Sequence, residues 1–153
     1  MGILGLSLML LLQEPVQSSA QPNRVVVGLV DGQKVVVQNP KFNGFIRGQD
    51  GEIVLVYRLN HIHGEMPASV ISKIEFGFYT KQRPFPMTVT LRNGQKLDVE
   101  GTGSNYVTLN GDTEIGTVRI KHPDPISAPL KISKKIPNRS KDLSIQYLEF
   151  PGS

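Results

Sequence analysis

The most metal-like residues of the chain are His61, His63 and Glu65, in the run His61-Ile62-His63-Gly64-Glu65. Residues two apart in a strand share a face, so both imidazoles would reach one ion there, with Glu65 as a third ligand. The competing reading is a pair of surface histidines at a strand end, and His122 is the only other histidine in the sequence. The sequence favours the surface reading, with no resident metal and no cofactor. Acid–base chemistry needs placed carboxylates, and Asp50, Asp112, Glu52 and Glu114 are the candidates. They fall at turn positions, where an aspartate side chain bonds its own backbone. There is no Gly-x-Ser-x-Gly elbow and no cysteine, and Asp112-Thr113 is followed by Glu114. No nucleophile is therefore set up, and a non-enzymatic protein is expected.

Charge gives a sharper candidate. Between Arg119 and Lys141 stand Arg119, Lys121, Lys131, Lys134, Lys135, Arg139 and Lys141, against the single acid Asp124, for a net 7 − 1 = +6. Four prolines stiffen the same stretch: Pro123, Pro125, Pro129 and Pro137. A patch of this kind attracts anions over roughly a Debye length, about 8–10 Å. The partners it suggests are an anionic glycan, a lipid headgroup or an acidic protein surface.

The elements that must carry these residues are written twice. LVDGQKVVV (29 to 37) answers LRNGQKLDV (91 to 99) at an offset of 62. Extended without gaps from Val25–Val56 to Met87–Val118, the offset gives 11 identical pairs in 32 positions, among them Gly32/Gly94, Gln33/Gln95, Asp50/Asp112 and Ile53/Ile115. ISKIEF (71 to 76) answers IQYLEF (145 to 150) at an offset of 74, so the second copy holds 12 extra residues. The expected organisation is module 24–77, linker 78–85 and module 86–151, with a basic, proline-rich insertion at about 119–144. Met87 to Leu91 and Leu97 to Glu100 alternate apolar and polar residues, which predicts half-buried strands. A three-residue loop, Arg92-Asn93-Gly94, sets Val89 opposite Leu97 and Met87 opposite Val99, whereas a two-residue loop would mix faces. The same register in copy one pairs Val25 with Val37 and Val27 with Val35. Its outward valines, Val26 and Val36, predict a hairpin covered on both sides. Beyond residue 20 the best helix is a single turn near Pro67 to Ser72. The expected fold is all-β: two tandem copies of a small antiparallel module, each a partly open barrel or sandwich.

Ahead of the modules, residues 3 to 12 (ILGLSLMLLL) form an apolar run too short to span a bilayer, which needs about 20 residues. Ser18-Ser19-Ala20 then offers small residues where a signal peptidase cuts, although no Lys or Arg precedes the run. Residues 1–20 read as a signal peptide, and the mature chain as exported, periplasmic or secreted. The mature charge is 17 − 12 = +5. Without cysteine a disulfide scaffold is excluded.

The order strand, xGxx turn, strand and returning Ile-x-x-Ile strand resembles small Sm-like and SH3-like barrels. IRGQDGEI (46 to 53) is similar to the Arg-Gly segment of Sm proteins, though it sits earlier in the module and the asparagine those proteins use for RNA has no match. VTLRNG, LNGDTEIGTV and IQYLEF resemble short β modules of uncharacterised exported bacterial proteins. These resemblances imply a fold and an export route, and they carry over no site residues. The functional expectation is an exported, non-enzymatic β protein with a binding or structural envelope role, touching an anionic partner through its basic segment. The alternatives are nucleic-acid binding by Sm-like modules, disfavoured by export, and metal binding at His61 and His63. Exposed edge strands leave self-association open.

Overall fold

The computed structural model describes residues 23–48, 52–77, 85–122 and 145–152. Residues 1–20, read above as a signal peptide, most of the expected linker, and residues 123–144 of the expected basic insertion lie outside the described residues. The fold is all-β: one curled antiparallel sheet shaped as a half barrel. Its strands are β1 (Arg24–Leu29), β2 (Lys34–Gly44), β3 (Ile46–Arg47), β4 (Val54–Leu59), β5 (Ile62–Pro67), β6 (Ile71–Phe76), β7 (Pro86–Leu91), β8 (Lys96–Gly101), β9 (Val107–Thr113), β10 (Gly116–His122) and β11 (Ile145–Glu149). The one-turn helix is the 3-10 segment Ala68–Val70, inside the predicted window.

Both hairpins take the register predicted from alternation. Val25 opposes Val37 and Val27 opposes Val35; Met87 opposes Val99 and Val89 opposes Leu97. The two turns are built alike. Leu29 N–H donates to the Gln33 carbonyl and Leu91 N–H to that of Gln95. Asp31 Oδ1 accepts from Gln33 N–H, and Asn93 Oδ1 from Gln95 N–H, each at 2.9 Å. Gly32 and Gly94 hold φ of 95° and 91°, a region that costs a Cβ-bearing residue its sterics. The register and turn of each hairpin are thus specified by neighbouring residues, while flanking strands complete the sheet around them.

Elsewhere the chain departs from the expected pattern. Asp112 and Glu114 are both expected at a turn, yet β9 runs through Thr113 and the turn falls at Glu114-Ile115. Gly111 serves close packing instead: a Cβ there would lie 2.3 Å from Val37 Cγ1. Opposite it β2 bulges. Register shifts between Lys41 and Gln38, around Asn39 at φ 51° and Pro40. A bulge is where a strand tolerates proline, because no ladder donor is required. Strand β2 thereby continues to Gly44 and offers its second half to β9.

Strand order is β10-β9-β2-β1-β11-β6-β7-β8-β4-β3, with β5 on the other side of β4. Residues before the linker supply β1 to β6 and residues after it supply β7 to β11, so the two stretches interleave within a single sheet. Strand β6 pairs with β7, β11 pairs with β1, and β6 and β11 pair with each other. In that central pair Ile74 opposes Leu148, Lys73 opposes Glu149 and Glu75 opposes Tyr147. Reciprocal backbone bonds between Phe42 and Gly48, 2.8 and 3.0 Å, hold the curl.

The concave face is the core. Val25, Val27, Val37, Phe42, Phe45, Ile74, Val89, Leu109, Ile145 and Leu148 are among its buried side chains. Each fully buried Val, Leu, Ile or Phe contributes about 1.5–3 kcal/mol. Phe45 joins the aromatic cluster by packing on Phe85 and Phe76, and Phe42 packs on Phe150. Among the described residues nothing covers the outer face of the first hairpin, and Val36 is 43% exposed. Its face points away from the core, and Val26 on that face lies between Val36 and Glu149.

Candidate anion-binding face

Directly opposed residues in an antiparallel sheet share a face. On the convex side of β2, β9 and β10 this rule assembles two rows. Lys41, Asn110 and Arg119 form one; Asn43, Thr108 and Lys121 form the next. The intervening residues Phe42, Leu109 and Val107 are buried on the core side, and Thr108, in the middle of the second row, is also covered at 3% exposure. Lys41, Asn43 and Arg119 are exposed, and Lys121 is half-buried. Tyr106 sits at the top of the second row. Its hydroxyl accepts from Asn43 Nδ2 at 3.4 Å, and the Lys121 ammonium lies 5.7 Å from its ring centroid. An ammonium over a ring face gains by cation–π attraction, which fixes the lysine head over the sheet.

The electrostatics of this face are one-sided. Strands β2, β9 and β10 carry Lys34, Lys41, Arg119 and Lys121 against one acid, Asp112. Asp112 lies at the far end of the face and accepts from the Thr117 hydroxyl. Arg119 and Lys121 were read from the sequence as the start of the basic segment. Lys131, Lys134, Lys135, Arg139 and Lys141 lie outside the described residues. Lys41, Asn43 and Tyr106 were not legible as site residues. They join only because β2 extends across its bulge, and no alternation through Gln38-Asn39-Pro40-Lys41 announces that extension.

The opposite end of the sheet has mixed charge. Arg47 pairs with Glu65 at 2.5 Å, and Arg58 pairs with Glu100. Arg58, Leu59, Asn60, Asp98, Val99 and Glu100 line an open depression of about 420 Å³ there. His61 falls in the turn before β5, outside the strand, while His63 and Glu65 lie within β5. His63 opposes Arg58, and Glu65 is held by Arg47. His63 and Glu65 therefore share one face of β5, and His61 stands outside the strand. Among the described residues no group of three or more His, Asp or Glu gathers as a metal set.

His122, the third histidine, is an interior residue. It is 4% exposed, lies over the Phe76 ring at 4.4 Å between centroids, and accepts the Ile145 N–H at Nδ1, 3.2 Å away. Burial pushes its pKa down to about 3. The neutral imidazole thus ties the end of β10 to the start of β11.

Comparison with protein-family models, with curated proteins and with solved structures gives no match. No helix among the described residues is long and apolar enough to cross a membrane.

Proposed function

We propose that this chain is an exported, non-enzymatic β protein, built from two copies of one ancestral module, that binds an anionic partner through its basic surface. The carrying observation is the convergence of Lys41, Arg119 and Lys121 on one convex sheet face, with Tyr106 beside them and Asp112 as the only acid of the three strands. Like-signed cations gathered on one sheet face lower the energy of any approaching anion without demanding a pocket, and the attraction weakens with salt. The insertion that begins at the same strand adds five further cations in sequence. Duplication is supported by the matching hairpin turns and by the central pair, in which Ile74 opposes its own repeat partner Leu148. Export is supported by the apolar run 3 to 12 and by Ser18-Ser19-Ala20, and N-terminal sequencing of the native protein tests it.

Binding is tested by titrating the chain with a sulfated glycan and with anionic vesicles over a series of salt concentrations. Affinity falls as salt rises, and a K41E/R119E/K121E variant loses most of it. Affinity indifferent to both salt and the substitutions would refute the reading.

A further inference from the structure

Strand β10 closes one end of the sheet. Among the described residues it pairs with β9 alone, so its other side turns a row of backbone N–H and C=O groups outward. We propose that this edge, residues 116 to 121, docks an extended acidic peptide segment of a partner protein, which adds as a further strand. The proposal rests on the anionic-partner reading and names the class of partner.

Three features select that occupant. The side chains of β10 alternate: Thr117, Arg119 and Lys121 on the convex face, Val118 and Ile120 on the concave face. Val118 and Ile120 are only half-buried, packed against the rim of the core. Same-face neighbours along a strand are about 6.6–7 Å apart. A peptide with carboxylates at every second residue would match Arg119 and Lys121, and its apolar residues would cover Val118 and Ile120. A glycan or a lipid headgroup has no strand-like backbone to pair with the outward row.

Charge also argues against the competing occupants. A second copy pairing edge to edge would set Arg119 and Lys121 against their own duplicates, and like charges in opposed positions destabilise a sheet. The chain's own residues 123 to 144 carry Lys131, Lys134, Lys135, Arg139 and Lys141 against Asp124, so they present the wrong sign. At the far end of the order β3 has only two residues, and the outer strand β5 ends at Pro67 with its acid Glu65 paired to Arg47. That edge is blunted where β10 is not.

The test uses the full chain and an end-capped octapeptide of alternating glutamate and valine. Two controls carry N-methyl groups on every second amide, one in each register; they keep the charge and remove donors. Fluorescence anisotropy reads affinity, and amide hydrogen exchange reads the edge. We expect the unmodified peptide to bind about tenfold or more tighter than whichever control blocks the pairing edge. We also expect it to slow exchange at alternate residues within 116 to 121. An R119Q/K121Q variant should lose a similar factor while its own unfolding curve stays unchanged. Equal binding by all three peptides would overturn strand addition and leave the electrostatic reading standing. Binding of sulfated glycan without binding of the peptide would overturn the peptide partner alone. Failure of every anion at low salt would remove both. Concentration-dependent self-association that slows amide exchange within 116 to 121 in the absence of peptide would make a second copy the occupant and overturn the proposal.

Discussion

The buried His122 makes acid stability a quantitative test of the interior. Its ring is 4% exposed, and burial holds its pKa near 3 against an ordinary value of 6.5. Above pH 6.5 the imidazole is neutral in folded and unfolded chains alike, and its titration contributes nothing to the pH dependence. As pH falls below 6.5 the unfolded chain takes up a proton that the folded chain refuses, so stability is lost. The loss grows down to about pH 3, where the folded state also protonates, and then levels off. The full interval is 6.5 − 3 = 3.5 pH units, or about 5 kcal/mol at roughly 1.4 kcal/mol per unit; at pH 5 it is about 2 kcal/mol. Other groups titrate over the same range, so the measurement must be a difference. His122→Asn keeps an acceptor near Nδ1 for the Ile145 N–H and removes the titration. It loses the packing on Phe76 and should be less stable at pH 7 by about 1–2 kcal/mol. Urea unfolding of both proteins at pH 7 and pH 5 supplies the comparison. The wild type should lose about 2 kcal/mol more than H122N between the two pH values. Parallel losses would refute the claim that a neutral, desolvated imidazole joins β10 to β11.

Arg92 donates from Nε to the Ser69 carbonyl at 3.0 Å and from a terminal nitrogen to the Phe150 carbonyl at 2.9 Å, tying the 3-10 turn to the end of β11. Its exposure reduces the value of each bond, and Arg92→Ala should cost about 1–2 kcal/mol in chemical denaturation, with Arg92→Lys recovering only part. Gly28 lies under the Tyr147 ring, where an added Cβ would fall 2.0 Å from Cε2. Gly28→Ala should destabilise by about 1–3 kcal/mol, and most of that cost should vanish in a background carrying Tyr147→Ala; additive effects would show that the ring does not fill this space. Ile115 is 90% exposed in the β9–β10 turn. Ile115→Ser should shift the unfolding free energy by less than about 0.5 kcal/mol, and a larger loss would mean that the side chain is covered in solution.

Local features of the chain were legible because their causes are local. Alternation over Met87 to Leu91, Asp31 and Asn93 bonding two residues ahead, and the left-handed glycines are set by neighbours within a few residues. They carried the hairpin register, the two matching turns and the all-β class. The site was half legible for the same reason. Arg119 and Lys121 stand in a run of charge that needs no structure to be seen, whereas Lys41 and Tyr106 reach them from positions 78 and 15 residues earlier than Arg119 and Lys121 respectively. The length of β2 past Val37 depended on a bulge opposite Gly111, which only the neighbouring strand β9 reveals.

Beyond the two hairpins, strand partnership belonged to the tertiary structure alone. The closing strands Ile71–Phe76 and Ile145–Glu149 are nearly interchangeable by sequence, and each could return to the first strand of its own half. Instead β6 lies on β7 and β11 on β1. Main-chain N–H and C=O groups are the same in every strand, so hydrogen bonding cannot choose between such partners. The choice falls to which arrangement buries Ile74, Leu148, Val27 and Val89 together on one concave face, and that is a property of the whole sheet, invisible in any one stretch of residues.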